Sequence, residues 1–212
     1  MSENEPDQRQ SQESDVPEAE PDHEHPPRGT PQIYVTAGLP LRADLVAGTW
    51  LDMARSTAEI YDELHAVTDQ EIGITTDRLY IWDYRGFGAF EVTTGPLGLE
   101  GTHSLELLAR VARGITEHGP PFAAWAQVHE DQPELFDRFP RIFKGHYATL
   151  GEFIRDQLEP QGYEAALDAA LPDSIRPFAT IDYDAIAEQA FSSGDIVAYR
   201  TGDGYWIFDE SA

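Results

Sequence analysis

The spacing of apolar and polar positions changes along this chain, and each change marks a different kind of element. "QIYVTA" at 32–37 alternates and predicts a strand. "LVAGTWLDM" predicts a second, with Leu45 and Val46 entering and Trp50 and Leu51 following a glycine. In "STAEIYDELHAV" the period lengthens to that of a helix. Ser56 and Glu59 are placed as a capping box, and Ile60, Tyr61, Leu64 and Val67 turn inward. "RLYIWDYRGFGAFEVT" then predicts strand, turn and strand. Residues 32–101 therefore form a small sheet with one helix.

From 102 to 144 the pattern is purely helical. Leu105, Leu108, Val111, Ala112 and Ile115 make one stripe, stopped by Gly119 and two prolines. Pro121 can open the next helix, which buries Phe122, Trp125 and Ala126. Asp131 and Glu134 are placed as another capping box. From 145 to 212 helices precede a hairpin. Thr149 and Glu152 cap the first helix, and a second covers roughly 163–171 and stops at Pro172. In a third, Asp182 is the N-cap and Tyr183, Ile186, Ala187, Ala190 and Phe191 form the stripe. "DIVAYRTGDGYWIFDE" closes the chain as a hairpin around residues 202–204. No repeat of fixed period is present.

Residues 1–31 lack any such pattern. They hold nine acids, two arginines and six prolines, with Val16 the only large aliphatic residue besides Met1. Such a segment cannot bury enough surface to fold, and we expect a disordered acidic tail. The expected fold class is thus α+β, with three small consecutive domains (32–101, 102–144 and 145–212) after that tail.

Charge sharpens this division. The 212 residues carry 39 acids against 14 bases, a formal charge of −25. The segments from the tail onward carry −7, −7, −1 and −10. In the outer segments, Glu59–Glu63, Glu152–Asp156, Glu164–Asp168 and Asp184–Glu188 set acid one turn above acid. Each such pair costs a few tenths of a kcal/mol. In the middle segment Glu106–Arg110, Arg113–Glu117, Glu134–Arg138 and Asp137–Arg141 set acid against base. Halophilic adaptation would acidify every segment alike, and the balanced middle argues against it. Repulsion retained on the outer helices points to a cationic partner instead, and excludes nucleic acid and anionic membrane as partners.

Little else signals chemistry. Cysteine is absent, which removes disulfides, cysteine zinc sites and a thiol nucleophile. No secretory leader and no apolar run of membrane-spanning length is visible, so a soluble cytoplasmic protein is expected. "DHEH" at 22–25 is a weak metal signal within the tail, and no cofactor is expected. "RGFGAF" lacks the third glycine and following helix of a dinucleotide site and is expected to be a turn. Paired carboxylates could serve an enzyme, but no pair is singled out.

Four stretches in order resemble the ArdA antirestriction family: "IYVTAGLPLRADLVAGTWLDM", "IWDYRGFG", "FKGHYATLGEFIRDQL" and "IDYDAIAEQAFSSGDIVAYRTGDGYWIF". The resemblance spans about 32–210. It implies a non-enzymatic DNA mimic, elongated, of three small domains, dimeric through the C-terminal one. It also implies a partner, the methyltransferase core of type I restriction–modification enzymes. The tail lies outside that pattern. On this reading Glu59, Asp62, Glu63, Glu152, Asp156, Glu159, Asp184 and Glu188 contribute an acidic partner-binding surface. The alternative is an acidic interaction module for another cationic DNA-binding protein.

Overall fold

The computed structural model describes residues 29–37, 48–71, 79–192, 194 and 196–211, and for 67–71 the backbone alone. The expected disordered tail up to residue 28, the DHEH tract, the Leu45–Val46 entry and the inward side chain of Val67 lie outside this description. Pro31, on the tail side of the expected boundary, is buried, and its carbonyl accepts from the Met53 amide at 2.9 Å. The described residues form seven α-helices and two small antiparallel sheets, an α+β fold.

The first sheet has the order β2-β1-β3-β4, from β1 (Gln32–Ala37), β2 (Gly48–Asp52), β3 (Leu79–Arg85) and β4 (Gly95–Pro96). Alternation buries Ile33, Val35, Leu51 and Ile81 on one face, where Ile60 and Leu64 of α1 (Thr57–Glu71) meet the same core. One expectation fails. The strand predicted in "AFEVT" is absent, and pairing resumes only in the two residues of β4. Phe90 and Val92 of that stretch are buried, so it is pinned by its side chains. Two of its backbone donors bond to side chains instead of a neighbouring strand, and the Phe90 amide turns back to the Phe87 carbonyl at 3.1 Å. The Glu91 amide donates to Gln127 Oε1 at 2.6 Å, and that of Thr93 to His103 Nδ1 at 3.0 Å.

The middle holds α2 (Leu105–His118), α3 (Pro120–Val128), a 3-10 helix (Pro133–Arg138) and the single turn α4 (Phe139–Ile142). Ser104 caps α2, its hydroxyl accepting from the Leu107 amide at 3.2 Å. Asp131 and Glu134 do not form the expected box. Pro133 fixes its own φ and holds Gln132 out of the helical region, so the element starts one residue later, with Gln132 as an uncapped N-cap.

The purely helical reading up to residue 144 also needs correction, because β5 (Phe143–Tyr147) begins there. The expected terminal hairpin is the pair β6 (Ile196–Arg200) and β7 (Tyr205–Asp209), and β5 adds to it in the order β5-β7-β6. Five residues with no fully buried position gave no alternation to read. Between β5 and β6 lie α5 (Leu150–Leu158), α6 (Tyr163–Ala170) and α7 (Tyr183–Ser192). The α7 stripe is narrower than expected. Tyr183 and Ala187 are buried, whereas Ile186 is 37% exposed, beyond the edge of its contact with α5.

A single apolar cluster runs from the first sheet through α2 and α3 to Phe139, Ile142 and Phe208 of β7. Its aromatic links are direct: Trp125 lies 5.5 Å from Phe208, and Phe139 stacks on Phe143 at 5.2 Å. A smaller cluster, Phe153, Ile154, Tyr183, Ala187 and Ile207, joins α5 and α7 to the second sheet. The expected boundary at 144/145 falls inside β5.

Gly114 shows how closely α2 and α3 approach. A Cβ there would stand 2.1 Å from the Phe122 ring. Gly114→Ala should therefore destabilise the protein by about 1–3 kcal/mol despite its better helix propensity, read as a lower urea midpoint.

Candidate functional site: the acidic helix faces

The expected acidic residues fall into two groups on separate elements. Glu59, Asp62 and Glu63 lie on α1, which packs on β2 and α2. Glu152 and Asp156 lie on α5, with Glu159 directly after it, and Asp184 and Glu188 on α7. The fold brings the α5 and α7 members together, because these helices pack side by side over the second sheet. Gly151 is buried at that crossing, where the Asp184 carboxylate occupies the space a Cβ would need. All eight are exposed except Glu63, which is half-buried.

Their partners differ, and the difference separates structural from free charge. Glu59 closes the predicted capping box: it accepts from the Ser56 amide at 3.0 Å and the Ser56 hydroxyl at 2.6 Å. These bonds hold its carboxyl below the ordinary glutamate range. Glu63 pairs with Arg55. Glu152 accepts from the Ala148 amide at 3.1 Å, while its own amide donates to Thr149 Oγ1 at 3.1 Å. The carboxylates of Asp62, Asp156, Glu159, Asp184 and Glu188 form no hydrogen bond or ion pair among the described residues. Among the described residues Glu63 is thus the one member in an ion pair with a lysine or arginine.

The reason lies with the bases. The four acid–base pairs expected within the middle helices do not form. Arg110 reaches Asp137 at 2.8 Å, joining α2 to the 3-10 helix. Arg113 donates to the Arg55 carbonyl at 2.9 Å, and Arg138 to the Glu210 carbonyl at 3.2 Å. Glu106 accepts from the Tyr61 hydroxyl at 2.8 Å, which ties α1 to α2. Lys144 meets Asp209 at 3.5 Å, and Arg155 lies over the Tyr183 ring at 5.2 Å. Tertiary contacts outcompete helix-local pairs worth a few tenths of a kcal/mol each, and of these cations Arg155 alone lies on an outer helix.

Sequence reasoning missed two kinds of carboxylate. Glu164 accepts from the Tyr183 hydroxyl at 2.8 Å and so links α6 to α7, which nothing local announces. Asp83 sits at an irregularity in β3, also invisible to alternation. No cluster of metal-ligating residues occurs among the described residues, and none of their helices is long and apolar enough to cross a membrane. A cleft of about 350 Å³ in the middle of the chain is lined by Arg110, Arg113, Glu117, His118, Phe136 and Asp137. It is a different surface from the acidic one.

An exposed acidic surface on a small α+β protein fits a charge-presenting inhibitor or adaptor class. The comparison with known families narrows it: the antirestriction protein (ArdA) family matches residues 34–205, and the chain belongs to that family. No curated protein and no solved structure matched. Family membership makes the protein's role antirestriction.

The Ser56–Glu59 box gives a separate test of which charge is structural. Glu59's folded value is depressed, so its contribution is present above the unfolded carboxyl range and lost as pH falls through the folded value. Ser56→Ala should lower stability by about 0.5–2 kcal/mol and return the Glu59 titration, followed by NMR, toward the ordinary glutamate range.

Proposed function

We propose that the protein is a DNA mimic that inhibits type I restriction–modification enzymes by occupying the DNA-binding groove of their methyltransferase core. The observation that carries this reading is the set of exposed carboxylates on α5 and α7 that form no ion pair among the described residues. Duplex DNA presents one charge per ~1.7 Å of axis. The three segments from 32 onward carry −7, −1 and −10, and so −18 per chain. Two chains match the charge on roughly 60 Å of duplex. Carboxylates held on helix faces meet the Lys and Arg side chains that otherwise grip phosphates. No base edge is offered, so enzymes of different sequence specificity are blocked alike. The protein performs no chemistry and needs no cofactor. It acts in the cytoplasm, where these enzymes work.

The second part of the reading is a homodimer through the C-terminal segment. Phe178 is 85% exposed and Tyr163 and Ile175 are each 50% exposed, while α6 buries no residue at all. Large apolar groups left this open on a chain of −25 are suited to a self-complementary contact. An elongated dimer of three-domain chains would set the two acidic surfaces end to end. The alternative, an acidic module for another cationic DNA-binding protein, separates from this reading in one experiment. Binding to a purified type I methyltransferase core should be displaced by duplex DNA; binding that DNA leaves untouched favours the alternative.

Two variants test the parts independently. Reversing Glu152, Asp156, Asp184 and Glu188 to Lys together should weaken inhibition on the order of 100-fold. Any one Ala change should weaken it less than about five-fold, because single exposed pairs are worth at most ~1 kcal/mol. Phe178→Asp should convert the dimer to monomer in sedimentation at micromolar concentration, without lowering the unfolding midpoint.

A further inference from the structure

The face of the first sheet turned away from the core carries chemistry that the acidic helices do not. Along the β1–β3 ladder Val35 lies opposite Ile81, Tyr34 opposite Asp83 and Ile33 opposite Tyr84. Trp82 is therefore an extra residue, a β-bulge. Ile81 is buried and Tyr84 packs against the core, so Trp82 and Asp83 both stand on the outer side, opposite Tyr34. Bulges commonly re-aim a side chain at a functional position. Here the side chain is an indole left 41% exposed. Asp83 holds the irregularity: one carboxylate oxygen accepts from the Tyr84 amide at 2.7 Å, and the residue stays exposed.

The same face already shows what such an indole can hold. Trp50, paired across from Tyr34 on the other side, packs against it at 5.3 Å. The Arg85 guanidinium lies over the Trp50 ring at 4.1 Å, and its Nε and Nη2 donate to Gln32 Oε1 at 2.9 and 2.6 Å. One guanidinium thus sits flat on one indole with an oxygen acceptor at its edge. Trp82 is a second exposed indole on this face, with a stronger acceptor, Asp83, next to it in the bulge, and among the described residues it has no cation–π contact.

We propose that Trp82 and Asp83 bind an arginine side chain of the cationic partner, stacking the guanidinium on the indole and accepting its N–H groups at the carboxylate. The proposal deepens the function above and rests on it for the identity of that partner. An apolar occupant would bury the Asp83 charge unpaired, which is costly. A phosphate-bearing occupant would meet a chain of −25. Arginine satisfies both the ring and the carboxylate, and it prefers such sites to lysine because its planar fork stacks and bonds at once. The contact would give the inhibitor a specific anchor beside its diffuse charge.

The test uses the full chain with ¹⁵N-labelled tryptophan indoles, titrated with hexa-arginine and with hexa-lysine. The Trp82 signal, assigned by its loss in Trp82→Phe, should shift with hexa-arginine at about five-fold lower concentration than with hexa-lysine. A Trp82 signal that stays fixed, or equal response to the two peptides, would overturn the proposal. Against a purified methyltransferase core, Trp82→Leu should bind about five-fold more weakly at an unchanged unfolding midpoint, and Trp82→Phe should recover most of the loss. Equal binding by Trp82→Leu sinks this proposal alone. Failure of the wild-type chain to bind the core sinks the proposed function instead, whatever the peptides show.

Discussion

The structure depends on where its few cations go. Arg110, Arg113 and Arg138 bridge between elements, and Arg55 is drawn to Glu63 and the end of β2. Each of these ties holds the fold from within, at a carbonyl or at a single carboxylate. Among the described residues, Asp156, Glu159, Asp184 and Glu188 form no ion pair, although Arg155 shares their surface. An acid-rich surface could simply reflect composition; one whose carboxylates stay outside ion pairs among the described residues, while the middle arginines serve tertiary ties, is a more specific arrangement.

That arrangement requires a firm support. The apolar cluster linking the first sheet to Phe208 makes the middle helices a bridge between the two sheets, and the α5–α7 pair is anchored on the second sheet by its own cluster. Carboxylates fixed on helices lose less conformational freedom on binding than charges on a flexible chain, so on the proposed reading a cationic groove closing over them would offset the repulsion accepted in the free protein. The repulsion itself is small, a few tenths of a kcal/mol per pair, and a core of this extent absorbs it.

Elements governed by local chemistry were legible in the sequence. Ser56, Thr149 and Asp182 begin helices where their spacing to the next polar or apolar residue says they should, though only Ser56 closes its box; Glu152 accepts from the Ala148 amide, one residue before Thr149. Elements that depend on a distant partner were not. β5 exists because β7 pairs with it, β4 because β3 does, and the Trp82 bulge because Tyr34 faces two residues in place of one. The same limit governs the site. Helical spacing correctly placed the outer carboxylates on exposed faces, but it assigned the middle arginines to neighbours four residues away when they reach 27 to 72 residues along the chain instead. Sequence also could not distinguish Glu59 and Glu63, occupied by Ser56 and Arg55, from Asp62 beside them.

The central claim is that charge, presented without countercharge, is what the partner binds. It is tested most directly by the affinity for a purified type I methyltransferase core as salt rises from about 50 to 200 mM. If carboxylates take the place of phosphates, the dissociation constant should climb by about two orders of magnitude or more, in parallel with that of duplex DNA for the same enzyme. A dissociation constant that moves less than about two-fold over that range would show an interface held by apolar contact, and would contradict the account.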